Sequence, residues 1–266
     1  MNALKMLVLD IRENIIVAGV AVLTICVLSV TSQAATLLED FDQGLSPQRW
    51  TVLQTSIAGV PCDPLGPPWT IEAPDSTGGI RISKPADTDP ATNADIWVHS
   101  KFALDGDLSV WVDFDLHNFP DFTDDSEGWN EVGLMVGGFS SLRYTNPGQC
   151  AEGFYGQSPI GQIVDNTTTG RFGISREGQT MRAWIDRGGG PVLLGSLTSS
   201  DFAGPVYVAL FVYQDPRLWG GTTRPHTAID VSFDNLSIMA GSITPEPATL
   251  SLLALGGIVV MRRRRR

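Results

Sequence analysis

Between residues 107 and 116 the side chains change character at every step. Leu108, Val110, Val112, Phe114 and Leu116 are apolar, and Ser109, Trp111, Asp113 and Asp115 stand between them. A period of two belongs to an extended strand with one face on a core and the other toward water. It excludes a helix, whose apolar stripe returns every 3.6 residues. Residues 131–136 repeat the pattern, with Val132, Leu134 and Val136 alternating with Glu131, Gly133 and Met135. Residues 172–176 and 180–186 flank Glu177-Gly178-Gln179 and read as a β-hairpin with its glycine in the turn. Residues 206–213 and 228–238 complete the strong strands. Shorter runs at 37–41, 50–54, 69–72, 79–83, 96–102 and 192–196 read as strands of the same kind. Short strands separated by Gly, Pro, Asp and Asn, with no sustained helical period between Leu37 and Met239, predict an all-β, two-sheet antiparallel sandwich.

The two ends of the chain do not fit this pattern. Lys5 and Arg12 precede a mostly apolar stretch over 15–30, followed by Thr31-Ser32-Gln33-Ala34-Ala35. Small residues at Ser32 and Ala34 suit a signal peptidase, so residues 1–34 read as a secretory signal peptide cut after Ala34, with a retained membrane anchor as the alternative. At the other end, Pro245-Glu246-Pro247 precede an apolar run over 248–261 and then Arg262 to Arg266. Fourteen residues of helix extend about 21 Å, short of a hydrocarbon core of about 30 Å unless flanking residues snorkel. Five arginines hold such an end on the cytoplasmic side. This three-part order resembles the PEP-CTERM sorting signal. The resemblance implies cleavage near Pro245-Glu246-Pro247 by an exosortase, a membrane-embedded cysteine transpeptidase, in a Gram-negative bacterium that makes an exopolysaccharide or biofilm matrix. A plain C-terminal anchor is the alternative. Residues 242–266 are thus the sorting tail and 35–241 the body, and the membrane is met only through the tail before cleavage.

Without its ends the chain keeps 11 of 18 basic and 26 of 29 acidic residues, a net charge of about −15. Such a body repels polyanions and is no nucleic-acid binder. Cys26 lies in the signal peptide, which leaves Cys62 and Cys150 as an even pair in an oxidising compartment, and a disulfide between them is the expectation.

A second resemblance covers most of the body. Glu39-Asp40-Phe41-Asp42 with Trp50 close behind, the hairpin over 170–186, and the closing run over 229–238 look like strands of concanavalin A-like jelly rolls. Related jelly rolls often hold a structural calcium where the first and last strands meet, which would bring Asp42 and Asp234 together. Family members that cleave β-glucans carry Glu-x-Asp-x-x-Glu or a close variant on one strand, because residues two apart share a face and can flank one glycosidic bond. The body has no such motif. Its nearest candidates are Asp113 with Asp115, about 7 Å apart along one face, and Glu131. No Gly-x-Ser-x-Gly is present, and no glycine loop opens a helix.

The residue types of sugar recognition are better supplied. Trp111, Asp113, Asp115, Glu131, Arg182, Trp184, Tyr207 and Tyr213 occupy the polar phase of their strands. Aromatic faces stack on sugar rings, and charged groups take hydroxyls. The expectation is a non-catalytic, exported polysaccharide-binding module. A diverged glycoside hydrolase or lyase and a purely structural matrix protein are the alternatives. The acidic residues over 121–127 are a solvated loop or a calcium ligand set.

The reading of the ends makes a direct prediction. Mass spectrometry of the matured protein is expected to find an N-terminus near Ala35 and no Arg262 to Arg266, and an intact Met1 or arginine cluster overturns it.

Overall fold

The computed structural model describes residues 34–55, 69–75, 78–86, 94–121, 129–145, 148–156, 158–215 and 227–245. The apolar N-terminal run, Cys62, residues 122–127 of the acidic loop, Glu246, Pro247 and the rest of the tail lie outside them. Among the described residues no helix is long and apolar enough to cross a membrane.

The strands are β1 (Ala35–Glu39), β2 (Trp50–Thr55), β3 (Thr70–Glu72), β4 (Ile80–Lys84), β5 (Ala94–Asn118), β6 (Trp129–Val136) and β7 (Phe139–Thr145). They continue as β8 (Gln149–Tyr155), β9 (Ser158–Val164), β10 (Thr169–Glu177), β11 (Thr180–Asp186), β12 (Pro191–Thr198), β13 (Val206–Asp215) and β14 (Ile229–Pro245). All pairings are antiparallel.

Two sheets form because β5, 25 residues long, belongs to both. Its first half pairs with β13 on one side and β2 on the other, giving the order β2-β5-β13-β6-β7-β8-β9. Its second half pairs with β10 and β14, giving β12-β11-β10-β5-β14, with β1 and β4 along the far edge of β14 and β3 outside β4. The change of sheet falls at Gly106, whose φ of +75° is open to glycine at little cost. Gly241 of β14 lies against it: a Cβ on Gly106 would come within 3.3 Å of the Gly241 backbone, and the β5–β14 register slips between Ala240 and Ser242. Arg176, almost fully buried, ties the corner by donating to the carbonyls of Gly106, Phe202 and Gly204.

The alternation read from the sequence sets the core. Val110, Val112, Ile174, Ala183, Ile185 and Phe233 from one sheet meet Ile96, Val98, Val132, Leu134, Leu210 and Val212 from the other, all completely buried. The expected strands are present, with three differences. Residues 96–102 and 107–116 are one continuous strand. β14 runs past the expected body end at 241 to Pro245, pairing with β5 as far as Phe102. β7, β8 and β9 carry no clean period and were not among the expected strands. In β7 the reason is that both faces are covered, so nearly every residue is buried whatever its polarity.

The expected disulfide is not found: Cys62 lies outside the described residues, and among them Cys150 is a free, buried thiol. Its position in β8 turns the sulfur into the sheet, where it donates to the Tyr144 carbonyl and accepts from Gln162.

The largest fully buried side chain is a cation. Arg143 of β7 sits on the core side, 3.0 Å from the Asp165 carboxylate, both with no exposed side-chain surface, and donates to the carbonyls of Thr167 and Asp165. Burial lowers its pKa, against the pull of Asp165. Removing one partner strands the other charge. Arg143→Met is expected to cost about 3–5 kcal/mol in chemical denaturation, and the double variant with Asp165→Leu to recover part of that loss.

Candidate functional site

The predicted site residues fall on two opposite faces of the sandwich. Trp111, Asp113, Asp115, Arg182 and Trp184 share the outer face of the second sheet, and both tryptophans are half-buried. Trp111, Gly173 and Trp184 stand side by side across β5, β10 and β11. The glycine makes room for the Trp111 ring, which a Cβ there would approach to 2.4 Å. Each indole N–H is used locally, Trp111 on Ser109 and Trp184 on Ser175, both at 3.0 Å. Asp113 is held by Arg171 and Asn235, Asp115 lies 3.8 Å from His117, and Arg182 reaches Glu177. Asp113 and Asp115 are therefore taken up in contacts with neighbouring side chains.

Glu131, Tyr207 and Tyr213 lie on the outer face of the first sheet, so Glu131 shares no pocket with Asp113 or the two tryptophans. Alternation fixes which phase of a strand faces outward; it does not say to which layer the strand belongs.

Asp42 and Asp234 do come near each other. Burial raises the Asp234 pKa against a hydrogen bond from the Asn235 backbone, and the charges of Asp113, Asp42 and Asp40 raise it further. The described residues nevertheless gather no group of three or more His, Cys, Asp or Glu able to hold a metal ion. Side chains alone do not fit a calcium shell here.

On the second sheet's side a cleft of about 520 Å³ brings together Asp113, Asp115, His117, Arg171, Asp234 and Asn235, among others; the first sheet's outer face differs in being floored by aromatic rings. In register across it run Asp95, Tyr213, Glu131, Tyr144 and Cys150; then Trp97, Phe211, Gly133, Leu142 and Glu152; then His99, Ala209, Met135, Ser140 and Phe154. Trp97 stacks on Phe211 at 4.7 Å and on His99 at 5.7 Å, and Trp129 leans on Tyr213 at 6.2 Å. These rings and Leu142 make a second apolar cluster, separate from the core. Above it opens a cleft of about 440 Å³ lined by Asp95, Trp97, Trp129, Glu131, Phe154 and Tyr213, among others. A second cleft of about 520 Å³ continues it past Met135 and Gly138 to His99 and Tyr207. Trp97 donates to Asp95 at 2.9 Å and Tyr213 to Asp215 at 3.0 Å, which fixes both rings.

Two carboxyl groups of this face are poorly solvated. Burial and the like charge of Glu152 push Glu131 up to about 7, against a hydrogen bond with Trp129, and Asp215 adds to the rise. Burial pushes Glu152 up to about 7 as well. Along β6, the positions two and four after Glu131 are Gly133 and Met135, so this strand offers a single carboxylate where β-glucan-cleaving jelly rolls carry two or more.

Sequence reasoning missed Asp95, Trp97, Trp129, Glu152, Phe154 and Phe211. For Asp95, Trp97 and His99 a signal was present, since they alternate with Ile96 and Val98. Glu152 and Phe154 sit in β8, whose inward residues include Gly153, and no period betrays it.

Comparison with known proteins agrees with this architecture. A PEP-CTERM protein-sorting motif matches residues 244–266. No curated protein matches the sequence. Among solved structures, LamAcat from Zobellia galactanivorans is 13% identical, with a TM-score of 0.50 over 76% of this chain and 96% of that one. A variant of LamA from the same organism, in complex with laminaritriose and laminaritetraose, is 14% identical with a TM-score of 0.51 over 78% of this chain and 98% of that one. A structure described among endo-acting O-glycanases of the human gut microbiota that initiate mucin breakdown is 11% identical, with a TM-score of 0.50 over 79% and 98%. At these identities the likeness is one of fold: a two-sheet antiparallel sandwich of the concanavalin A-like jelly-roll type. The sorting motif implies export and processing by an exosortase.

The raised carboxyls set the pH dependence of folding. Unfolded, Glu131 and Glu152 titrate near 4.5; folded, near 7. The folded state therefore takes up protons in this window, and stability falls as pH rises through 7. Folding stability read from chemical denaturation is expected to rise as pH falls from 8 to 5, by on the order of 2 kcal/mol, and Glu131→Gln to flatten the rise. An unchanged slope in that variant overturns the assignment.

Proposed function

We propose that the mature protein is a non-catalytic polysaccharide-binding module, released by exosortase processing into the cell envelope or extracellular matrix, with the cleft of the first sheet as its binding face. The observation that carries this reading is the aromatic floor of that cleft. The half-buried Trp97 and Trp129 offer rings, held in place by stacking on the buried Phe211 and Tyr213 and, for Trp97, by Asp95, which is what a pyranose needs to stack on without ordering the protein further. Carboxyl and hydroxyl groups at the rim supply partners for sugar hydroxyls. The half-buried Trp111 and Trp184, whose N–H groups are already used, make a flatter secondary platform.

The hydrolytic alternative has one observation in its favour: Glu131 near 7 has the proton affinity of a general acid. Against it, the opposing carboxylate that glycoside hydrolysis requires is missing from its own strand. Laminarin oligosaccharides, ligands of the structurally similar LamA variant, are the natural first probes.

Glycan-array binding followed by calorimetric titration tests the proposal, with reducing-sugar release measured in parallel. Binding without sugar release is the expected outcome. Trp97→Ala is expected to weaken binding by about 1–3 kcal/mol, whereas Trp111→Ala leaves it largely intact. Release of reducing ends that Glu131→Gln abolishes would turn the assignment to a hydrolase. No binding to any glycan would leave a structural role in the matrix.

A further inference from the structure

We propose that the outer face of the second sheet is a second glycan site, a platform for the surface of an ordered, insoluble polysaccharide built of neutral β-1,4-linked pyranoses. This rests on the polysaccharide-binding reading above and adds to it a site on the opposite face, for a different form of substrate.

Strand pairing lines up a row of uncharged side chains on this face. Leu193, Trp184, Gly173, Trp111, Ser237 and Leu38 are in register across β12, β11, β10, β5, β14 and β1. With strands about 4.8 Å apart, the row is roughly 24 Å long. Its ends are open to water, Leu38 being 72% exposed and Leu193 46%. In its middle the Trp111 ring lies down on Gly173, in the space a Cβ there would take. The indole N–H groups of Trp111 and Trp184 are taken up by Ser109 and Ser175. What the indoles leave for a ligand is ring surface, bordered by the Arg171 guanidinium 5.6 Å from the Trp111 ring centre.

Polar rows flank it on both sides, each about 7 Å away along the strands. One consists of Ser196, Arg182, Ser175, Ser109, Met239 and Thr36, polar apart from the methionine. The other consists of Asp186, Arg171, Asp113 and Asp234, which line the cleft of about 520 Å³ on this side. A pyranose has the same distribution of polarity, with C–H groups on its faces and hydroxyls around its edge. A chain laid along the row puts ring faces on Trp184 and Trp111. Its hydroxyls then meet serines on one side and the Asp113–Arg171 pair on the other. A protein partner fits less well. A stable interface takes about 800 Å² from each partner around a broad apolar centre, and a row one side chain wide has no such centre.

The linkage and physical state follow from geometry and charge. Trp184 and Trp111 are anchored two strands apart, about 10 Å, and Leu38 stands two strands beyond Trp111. Contacts at an even pitch suit a straight chain, which β-1,4 linkage provides and a coiling β-1,3-linked chain does not. The row lies on open sheet, so a single free chain touches it from one side only and has to be straightened at an entropic cost. A chain already fixed in an ordered solid bears no such cost. The body's net charge of about −15 turns away uronate- and sulfate-bearing chains and leaves neutral ones.

The test is sedimentation of the exported, processed protein with microcrystalline cellulose and with chitin powder. The protein is expected to leave the supernatant with at least one of the two solids. Trp111→Ala and Trp184→Ala are each expected to weaken this at least about fivefold. Leu38→Asp, at an exposed end of the row where the core is untouched, is expected to weaken it too. Val164→Asp removes an 88% exposed apolar side chain from β9 and adds the same charge, and is expected to change nothing. No sedimentation with either solid overturns the platform. So does sedimentation that the row variants leave intact, or that Val164→Asp reduces as much as they do, which marks general adsorption. A dimer of the free protein in analytical ultracentrifugation that Leu38→Asp dissociates makes the row a contact between two copies, and overturns it as well. Titration with soluble laminarin oligosaccharides reads the cleft of the first sheet separately. Loss of sedimentation with that binding intact removes the platform alone, and loss of both removes the polysaccharide-binding reading.

Discussion

The architecture hangs on β5 turning from one sheet into the other. Twenty-five residues without a break would make a flat, overlong strand if the backbone ran straight. At Gly106 it turns instead, and Gly241 on β14 lies beside it where the pairing slips by a residue. Two glycines in contact let two paired strands change layer together, and Arg176 clamps the corner with three hydrogen bonds. The neighbours on either side of β5 follow it: β13 and β2 along the first half, β10 and β14 along the second. The single core between the layers exists because this strand contributes to both of its walls.

The same turn decides where the chemistry sits. In β5 the even-numbered residues from Ile96 to Leu104 and from Leu108 to Leu116 face the core, and the odd-numbered ones face out. Trp97 and Trp111 therefore have the same phase but emerge on opposite sides of the molecule, because the strand has passed to the other layer between them. One side becomes a cleft floored by aromatic rings and rimmed by acids. The other carries Trp111 lying over Gly173 with Trp184 on the adjacent strand, interleaved with Arg171, Arg182 and Asp113. The difference in charge follows from the partners available: β10 and β11 bring arginines to the second face, whereas β6, β8 and β13 bring glutamate, aspartate and tyrosine to the first.

Burial on both faces gives the middle of the first sheet its character. β7 packs on the main core through one face and through the other on the cluster of Leu142, Phe211 and Tyr213. Polar groups placed there need partners: Arg143 finds Asp165 and Ser141 finds the Trp184 carbonyl. Glu131 and Glu152 keep their protons to higher pH. The proposed polysaccharide binding would use this floor.

What the sequence determined by itself was local or positional. The alternation at 107–116, 131–136 and 180–186 fixed which side chains face the core, because side-chain direction in a strand follows from backbone geometry alone. The C-terminal sorting motif implied export by the order of its prolines, apolar run and arginines. The tertiary structure decided everything that depends on which strand lies beside which. It separated Glu131 from Asp113 and put Trp97 beside Phe211. It brought Glu152 near Glu131 from two strands away, and it kept Cys150 as a thiol between Tyr144 and Gln162. Neighbours across a sheet are set by long-range pairing, and a period of two is the same in either layer, so no pattern along the chain could have told them apart.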